Sequence, residues 1–232
     1  VAAAGGIVTL NATLGSLAIN GSGDISSDGA VNLTGVGGIS TGGDVITTGD
    51  IVNFNSATTL TSAVLVTTAG GDINFVAALS GPQALTLQSF AGNITFGGAV
   101  GAVALTSILI NDANNVTAAA INAGSFTQVA STTGTGTTSL NGLVTLAGAL
   151  DLNGTTFNIA GGVNAGGLVS ITNSGILTTT SAIVAGGGFT QDGGGLNNLG
   201  GNITTTDDAI SFATGVTLTS GILMNTVSAG GG

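Results

Sequence analysis

The sequence predicts an all-β fold: one continuous domain over residues 1–232, a parallel β-solenoid (β-helix) of about 20–23 residues per coil and roughly 10–11 coils. Three observations predict it. Short phrases recur at a nearly fixed spacing, apolar and polar residues alternate inside each phrase, and the strongest helix-forming residues are missing.

The recurrence is plainest between Gly71 and Ile110. Gly71-Asp72-Ile73-Asn74-Phe75 returns as Gly92-Asn93-Ile94-Thr95-Phe96 after 21 residues, and Ala84-Leu85-Thr86 returns as Ala104-Leu105-Thr106 after 20. Upstream, Asn11, Asn32, Asn53 and Asn74 stand 21 apart, each followed by an apolar residue: Ala12, Leu33, Phe54 and Phe75. If this spacing is one coil, Phe54, Phe75 and Phe96 stack inside it at about 4.8 Å, the separation of paired strands. The Asn column then forms an outward ladder of side-chain amides, as in cross-β stacks. Gly49-Asp50-Ile51 precedes Gly71-Asp72-Ile73 by 22, and a one-residue bulge near Val52 is expected to absorb the difference. Downstream, Phe126-Thr127-Gln128 returns as Phe189-Thr190-Gln191 after 63 residues, or three coils of 21. Ser174-Gly175-Ile176-Leu177 returns as Ser220-Gly221-Ile222-Leu223 after 46, which suggests two slightly longer coils of 23.

Alternation supplies the second argument. Ile73 and Phe75 share one side with Asp72 and Asn74 opposite, and Leu85 and Leu87 oppose Thr86 and Gln88, so each strand buries a single face. Parallel strands sandwiched between helices would instead read as unbroken apolar runs. With no helical segment to cover them, the strands must coil around their own buried face. Composition agrees: Glu, Lys and Arg are absent, while 43 glycines with Val, Ile, Thr and Asn provide strands and turns. Turns are expected at Gly97-Gly98, Asn141-Gly142, Gly161-Gly162, Gly186-Gly187-Gly188 and Gly193-Gly194-Gly195. Pro82 is expected in a turn too, since inside a ladder it would lose a donor.

Composition also excludes function classes. With 43% hydrophobic and 4% charged residues the chain has the apolar content to fold rather than stay disordered. Ten acidic residues, all Asp, and no Lys, Arg or His give a formal charge of -10. Such a surface cannot neutralise phosphates, so neither nucleic acid nor an anionic membrane surface is an expected partner. Membrane insertion is not expected: polar residues break every apolar run before about 18 accumulate, and the Trp and Tyr girdles of a transmembrane barrel are missing. Absence of Cys forbids disulfides and thiolate metal sites. Trypsin has no residue to cut after.

Little chemistry remains. Catalysis needs a nucleophile with a base, paired acids or a metal, and only Asp and hydroxyls are left, so the chain is not expected to be an enzyme. No catalytic, cofactor-binding or metal site residue is assigned, no cofactor is expected and no small-molecule substrate is predicted. The one acidic pair, Asp207-Asp208, sits on adjacent positions that point to opposite sides of a strand and reads as a solvated turn. Gly21-Ser22-Gly23-Asp24-Ile25 and Gly43-Asp44-Val45 carry oxygen ligands in a faint likeness to calcium-binding nonapeptides, without their regular recurrence. Thr178-Thr179-Thr180, Thr204-Thr205-Thr206 and Thr217-Leu218-Thr219 suggest the Thr-x-Thr face of an ice-binding rod but are irregularly placed, and ordinary outward strand threonines explain them. Asn-x-Ser/Thr sequons at Asn11, Asn20, Asn32, Asn93, Asn115, Asn153 and Asn202 are the expected yield of a chain so rich in Asn and Thr.

The phrases Gly-Asn-Ile-Thr-Phe-Gly-Gly-Ala-Val-Gly (92–101) and Val-Ala-Leu-Thr-Ser (103–107) resemble the giant β-strand-repeat proteins of Gram-negative bacteria, related in style to filamentous-haemagglutinin-type adhesins. This resemblance implies a right-handed helix, export, and a place at the cell surface or in the extracellular matrix. It carries over no site residues, because the repeat phrases are scaffold. Pectin-lyase-like β-helices share the expected fold, but their chemistry relies on basic residues absent here.

The ends shape the functional expectation. Val1 to Gly6 shows no amphipathic cap, Val1 brings neither Met nor a basic leader, and Ala229-Gly230-Gly231-Gly232 resembles the glycine run that introduces the strand at Gly71-Asp72. The chain is expected to be an excerpt of a longer repeat protein or a subunit that stacks end to end with itself. The expected function is therefore a structural subunit of an extracellular bacterial fibre. A stalk segment of a giant single-chain surface adhesin is one alternative, and a ligand- or ice-binding rod is another.

Overall fold

The computed structural model describes residues 2–3, 5–132 and 136–226; Val1 and the glycine run at 229–232 lie outside the described residues. Strands are the only regular elements among them, gathered into three sheets of eleven strands each. Every pairing is parallel, and the chain visits the first, second and third sheets in turn before returning to the first. Each coil thus adds one short strand to every sheet, and the product is a β-solenoid of about 21 residues per coil.

The alternation in the sequence becomes the inside and outside of this coil. In the strands Val52–Phe54, Ile73–Phe75 and Ile94–Phe96 the first and third residues are buried and the middle one faces outward. Registers place Phe54 on Phe75 and Phe75 on Phe96. The rings stack with centroids 4.6 and 5.5 Å apart and planes within 11° and 8° of parallel. Leu33 lies below this column and Ala118 above it, so one apolar file runs through successive coils. A single core of buried Val, Ile, Leu and Phe joins the three sheets from end to end.

The glycine that opens the repeated phrase has a steric reason. Gly92 sits directly on Gly71, and Gly71 on Asp50; a Cβ at either glycine would overlap the carbonyl of the coil below. Corners can stack at strand spacing only where no side chain intervenes. The expected turns all fall between strands, and Pro82 lies between Leu79–Ser80 and Ala84–Gln88.

Three details of register differ from the sequence expectation. Asn11 pairs with Thr34, and Thr9 takes its place opposite Asn32, because Val8 stacks on Val31 and the first coil is two residues longer than 21. No bulge occurs at Val52: Val52, Asn53 and Phe54 meet Ile73, Asn74 and Phe75 without interruption, and the Gly49-Asp50-Ile51 phrase is simply one residue out of step. Irregularities lie instead between Leu87 and Gln88 and between Val100 and Leu105. The Ser174 and Ser220 phrases do not stand two coils apart on one sheet either. Leu177 stacks on Asn197 and then Val216 in the second sheet, whereas Met224, beside Leu223, belongs to the third. The two coils from Leu177 to Val216 are therefore 20 and 19 residues, shorter than 21 rather than longer. The three coils from Phe126 to Phe189 are confirmed, through Leu150 and Val169, though they differ in length.

Candidate functional site

The second sheet turns an unbroken file of uncharged polar side chains outward. Its members in order are Thr9, Asn32, Asn53, Asn74, Thr95, Thr117, Ser139, Asn158, Thr178, Asn198 and Thr217, each in register with the next. Within it, Asn53 Nδ2 donates to Asn32 Oδ1 at 2.9 Å and Asn74 Nδ2 to Asn53 Oδ1 at 3.0 Å, the amide ladder that the sequence spacing implied. A parallel file at the preceding corner runs through Asp72, Asn93 and Asn115. Asn93 donates to the Asp72 carboxylate through both its backbone N (2.7 Å) and Nδ2 (3.0 Å), and Asn115 Nδ2 donates to Asn93 Oδ1 at 2.8 Å.

The residues weighed for chemistry disperse over this scaffold. Asp24 and Asp44 occupy successive coils and brace them: Asp24 Oδ1 accepts from Asp44 N at 2.9 Å, and Asp44 Oδ1 from Leu65 N at 2.8 Å. Asp207 and Asp208 lie exposed in a bend, where Asp207 adopts φ 58°. Thr178 and Thr217 share the second sheet with Asn198 between them, while Thr204 belongs to the third, so the threonine triplets do not fall on successive coils of one face. Among the described residues no three acidic side chains are grouped so as to hold a metal ion.

One place departs from the regular rod. At the corner between the first and second sheets, most coils turn in a few residues, but eight residues separate Phe126–Gln128 from Thr137–Leu140, and the next coil turns almost at once, from Leu150–Gly154 to Thr156–Ile159. A cleft of about 300 Å³ lies at this corner. Gln128, Asn114, Asn153, Thr155, Thr172 and Ser174 contribute polar groups to its wall. No charged side chain is among the described lining residues.

Asp112, which is 2% exposed, holds Ser131 and Thr132 at the start of this connection. Its Oδ1 accepts from Ser131 Oγ at 2.5 Å and its Oδ2 from Thr132 Oγ1 at 2.6 Å. Burial alone would raise the pKa of this carboxyl, but the hydroxyls of Ser131 and Thr132 and the backbone N–H groups of Thr132 and Ala113 outweigh it and hold the pKa below the ordinary value.

Behind the cleft the interior itself is polar. Gln128 is 8% exposed, and its Oε1 accepts from Thr138 Oγ1 at 2.8 Å. Its Nε2 has no acceptor among the described residues. Further along, Gln191 Nε2 donates to Asn173 Oδ1 at 2.8 Å, and Asn197 Nδ2 donates to Gln191 Oε1 at 3.0 Å. Sequence reading assigned no role to these buried amides. The signal was present: in Phe126-Thr127-Gln128 and Phe189-Thr190-Gln191 the period of two that sends Phe inward sends Gln inward as well.

No protein-family model, curated protein or solved structure matches this chain.

Proposed function

We propose that the chain is a structural subunit of an extracellular bacterial fibre and joins copies of itself end to end. The observation that carries this reading is the state of the terminal ladders. Among the described residues, all three sheets end on strands paired on one side only, at both ends of the stack. Parallel ladder edges template further strands. Apolar side chains accompany them: Leu14 is 99% exposed at one end, and Leu218 and Leu223 are 55% and 60% exposed at the other. At the first end Leu10, Leu17 and Ile19 also line an open cavity of about 310 Å³ where the core reaches solvent. A fresh coil laid on these edges would cover them and continue the core file.

The test is electron microscopy and fibre diffraction of the purified chain. Filaments with an axial repeat near 4.8 Å are expected. Leu218→Lys, which puts a charge on the terminal rung, should abolish them without altering the β-sheet circular dichroism. A wild-type chain that stays monomeric at high concentration would overturn the reading. The same unpaired edges also support a stalk segment of a single-chain surface adhesin, in which further coils of one polypeptide cover them. The length of the encoding gene separates the two.

A further inference from the structure

We propose that the corners Asn20-Gly21 and Asn141-Gly142 are sites of spontaneous covalent modification, at which the asparagine closes to a succinimide and reopens as isoaspartate or aspartate, while the fold withholds the same reaction from Asn153-Gly154. The proposal is independent of whether rods associate.

The chain holds three Asn-Gly pairs. In such a pair the backbone N of the glycine attacks the asparagine Cγ: a C–N bond forms, the bond from Cγ to Nδ2 breaks, and ammonia leaves with the proton from the glycine N. Water then opens the ring at either carbonyl, giving aspartate or, with the main chain rerouted through the side chain, isoaspartate. Water is the only co-reactant. Glycine favours the step because it puts no side chain beside the attacking N and lets the peptide rotate. Sites therefore differ in whether the glycine N–H is free and the peptide can turn.

In sequence the three pairs are alike, and the structure separates them. Asn141 and Gly142 make the corner between Thr137–Leu140 and Val144–Leu146. Asn141 is exposed, and its backbone N donates to Ala118 O at 2.9 Å, whereas the N–H of Gly142 donates to no group among the described residues. Asn20, exposed as well, opens a turn closed by Gly23 N donating to Asn20 O at 2.7 Å, and the N–H of Gly21 inside that turn also donates to no described group. Asn153 and Gly154 lie instead in the strand Leu150–Gly154, in register with Thr172 and Asn173 of the next coil. Extended backbone carries the following N away from the side chain, and Asn153 Nδ2 donates to Asp151 Oδ1 at 3.0 Å and to Gln128 O at 3.4 Å. This pair must leave its ladder before it can react.

The consequences at the two corners differ. Isoaspartate lengthens the main chain by a carbon, and the corner at Asn141 has no room for it: a Cβ on Gly142 would overlap the backbone of Ala120 in the coil below, and one on Gly161 the carbonyl of Gly142 from the coil above. At Gly21 the nearest atoms to a Cβ are Ser62 Oγ at 3.4 Å and Gly42 O at 3.7 Å, which are ordinary contacts. Modification at Asn141 therefore loosens the neighbouring coils and modification at Asn20 does not. Each event also adds a carboxylate to a chain whose formal charge is already -10.

The experiment holds the full chain at mildly alkaline pH, native and in urea, and samples it over time. Intact mass follows the exchange of amide for acid, and isoaspartyl-specific methyl labelling of peptic peptides locates it. In the native chain Asn20 and Asn141 should convert and Asn153 should lag by at least about tenfold, because it reacts only through local opening; in urea the three rates should converge. Asn141→Gln and Asn20→Gln should each remove their own isoaspartate and leave the other site's rate unchanged. Hydrogen exchange after conversion should show lost protection in the coils beside Asn141 and none beside Asn20. The proposal is overturned if Asn153 keeps pace in the native chain, if the order of the three sites is the same in urea, if neither Asn20 nor Asn141 yields isoaspartate, or if conversion of Asn141 leaves exchange around it unmoved.

Discussion

Replacing Phe75 by Ala tests the central physical claim, that coils are held by like side chains lying on like. Phe75 is 1% exposed and touches a stacked ring on each side, Phe54 at 4.6 Å and Phe96 at 5.5 Å. Truncating a buried Phe costs about 3–5 kcal/mol through lost transfer energy and the cavity left behind. Each stacked pair adds about 0.5–1.5 kcal/mol beyond area burial, so two pairs add about 1–3. The reference is Phe126→Ala: Phe126 is 0% exposed, but its neighbours above and below are the aliphatic Ile108 and Leu150. The difference between the two variants isolates the stacking. Because repeat arrays open locally and unfold without strict two-state behaviour, the assay is native-state hydrogen exchange read coil by coil rather than one melting curve. Protection in the coils around Phe54, Phe75 and Phe96 should fall roughly tenfold for each 1.4 kcal/mol, and further than protection around Phe126 does in its own variant. Equal losses in the two variants would show that the rings contribute only area. A loss below about 1 kcal/mol at Phe75 would refute the core assignment itself.

Three further perturbations have worked signs. Thr179 lies in the core file between Ile159 and Leu199, and its buried Oγ1 has no partner, so Thr179→Val should stabilise the chain by about 1 kcal/mol, measured by urea denaturation. Asn53→Asp removes the donor to Asn32 while keeping the acceptor for Asn74, and should cost about 1–3 kcal/mol at neutral pH. That deficit should shrink in acid, once the introduced carboxyl is protonated and can donate again; equal deficits in melting temperature at neutral and acid pH would contradict the ladder. Asp112 has its pKa lowered by folding, so its contribution is present above the unfolded value near 3.8 and is lost as pH falls through the lower folded value. Asp112→Asn should accordingly destabilise by about 1–3 kcal/mol at neutral pH, with the gap to wild type closing in strong acid.

How far the fold was legible depended on whether identity repeated along with geometry. Phe54, Phe75 and Phe96 could be stacked from their spacing because three coils in succession are nearly the same length and carry the same residue. Asn11 was misplaced because the first coil is longer, and a 21-residue count cannot see a corner lengthen. The Ser174 and Ser220 phrases misled in the opposite way: similar residues open strands of two different sheets, and composition alone does not say which corner a Ser-Gly turns. The cleft was illegible for a further reason. It lies at a mismatch between two consecutive corners, a relation between coils rather than a motif within one.

That mismatch also accounts for the amides inside the rod. A stack of equivalent coils is best filled by Val, Ile, Leu and Phe, and the polar residues Thr41, Thr47, Thr58, Thr68 and Ser89 buried among them in the first half carry hydroxyls rather than amides. Gln128, Asn173, Gln191 and Asn197 break the pattern, and burying each requires a partner for every donor and acceptor. Gln191 bridges Asn173 and Asn197, Thr138 serves Gln128 and backbone carbonyls take further N–H groups, but Asn197 Oδ1 is left over, and a solvent-facing corner would have needed none of this. Gln128 and Asn173 both border the cleft, and Gln191 holds Asn173 in place from behind. The polar interior and the concave surface are therefore one feature: the irregular corner carries amides inward, and those amides fix the wall that the cleft presents. Chemical individuality in this solenoid resides where the period fails.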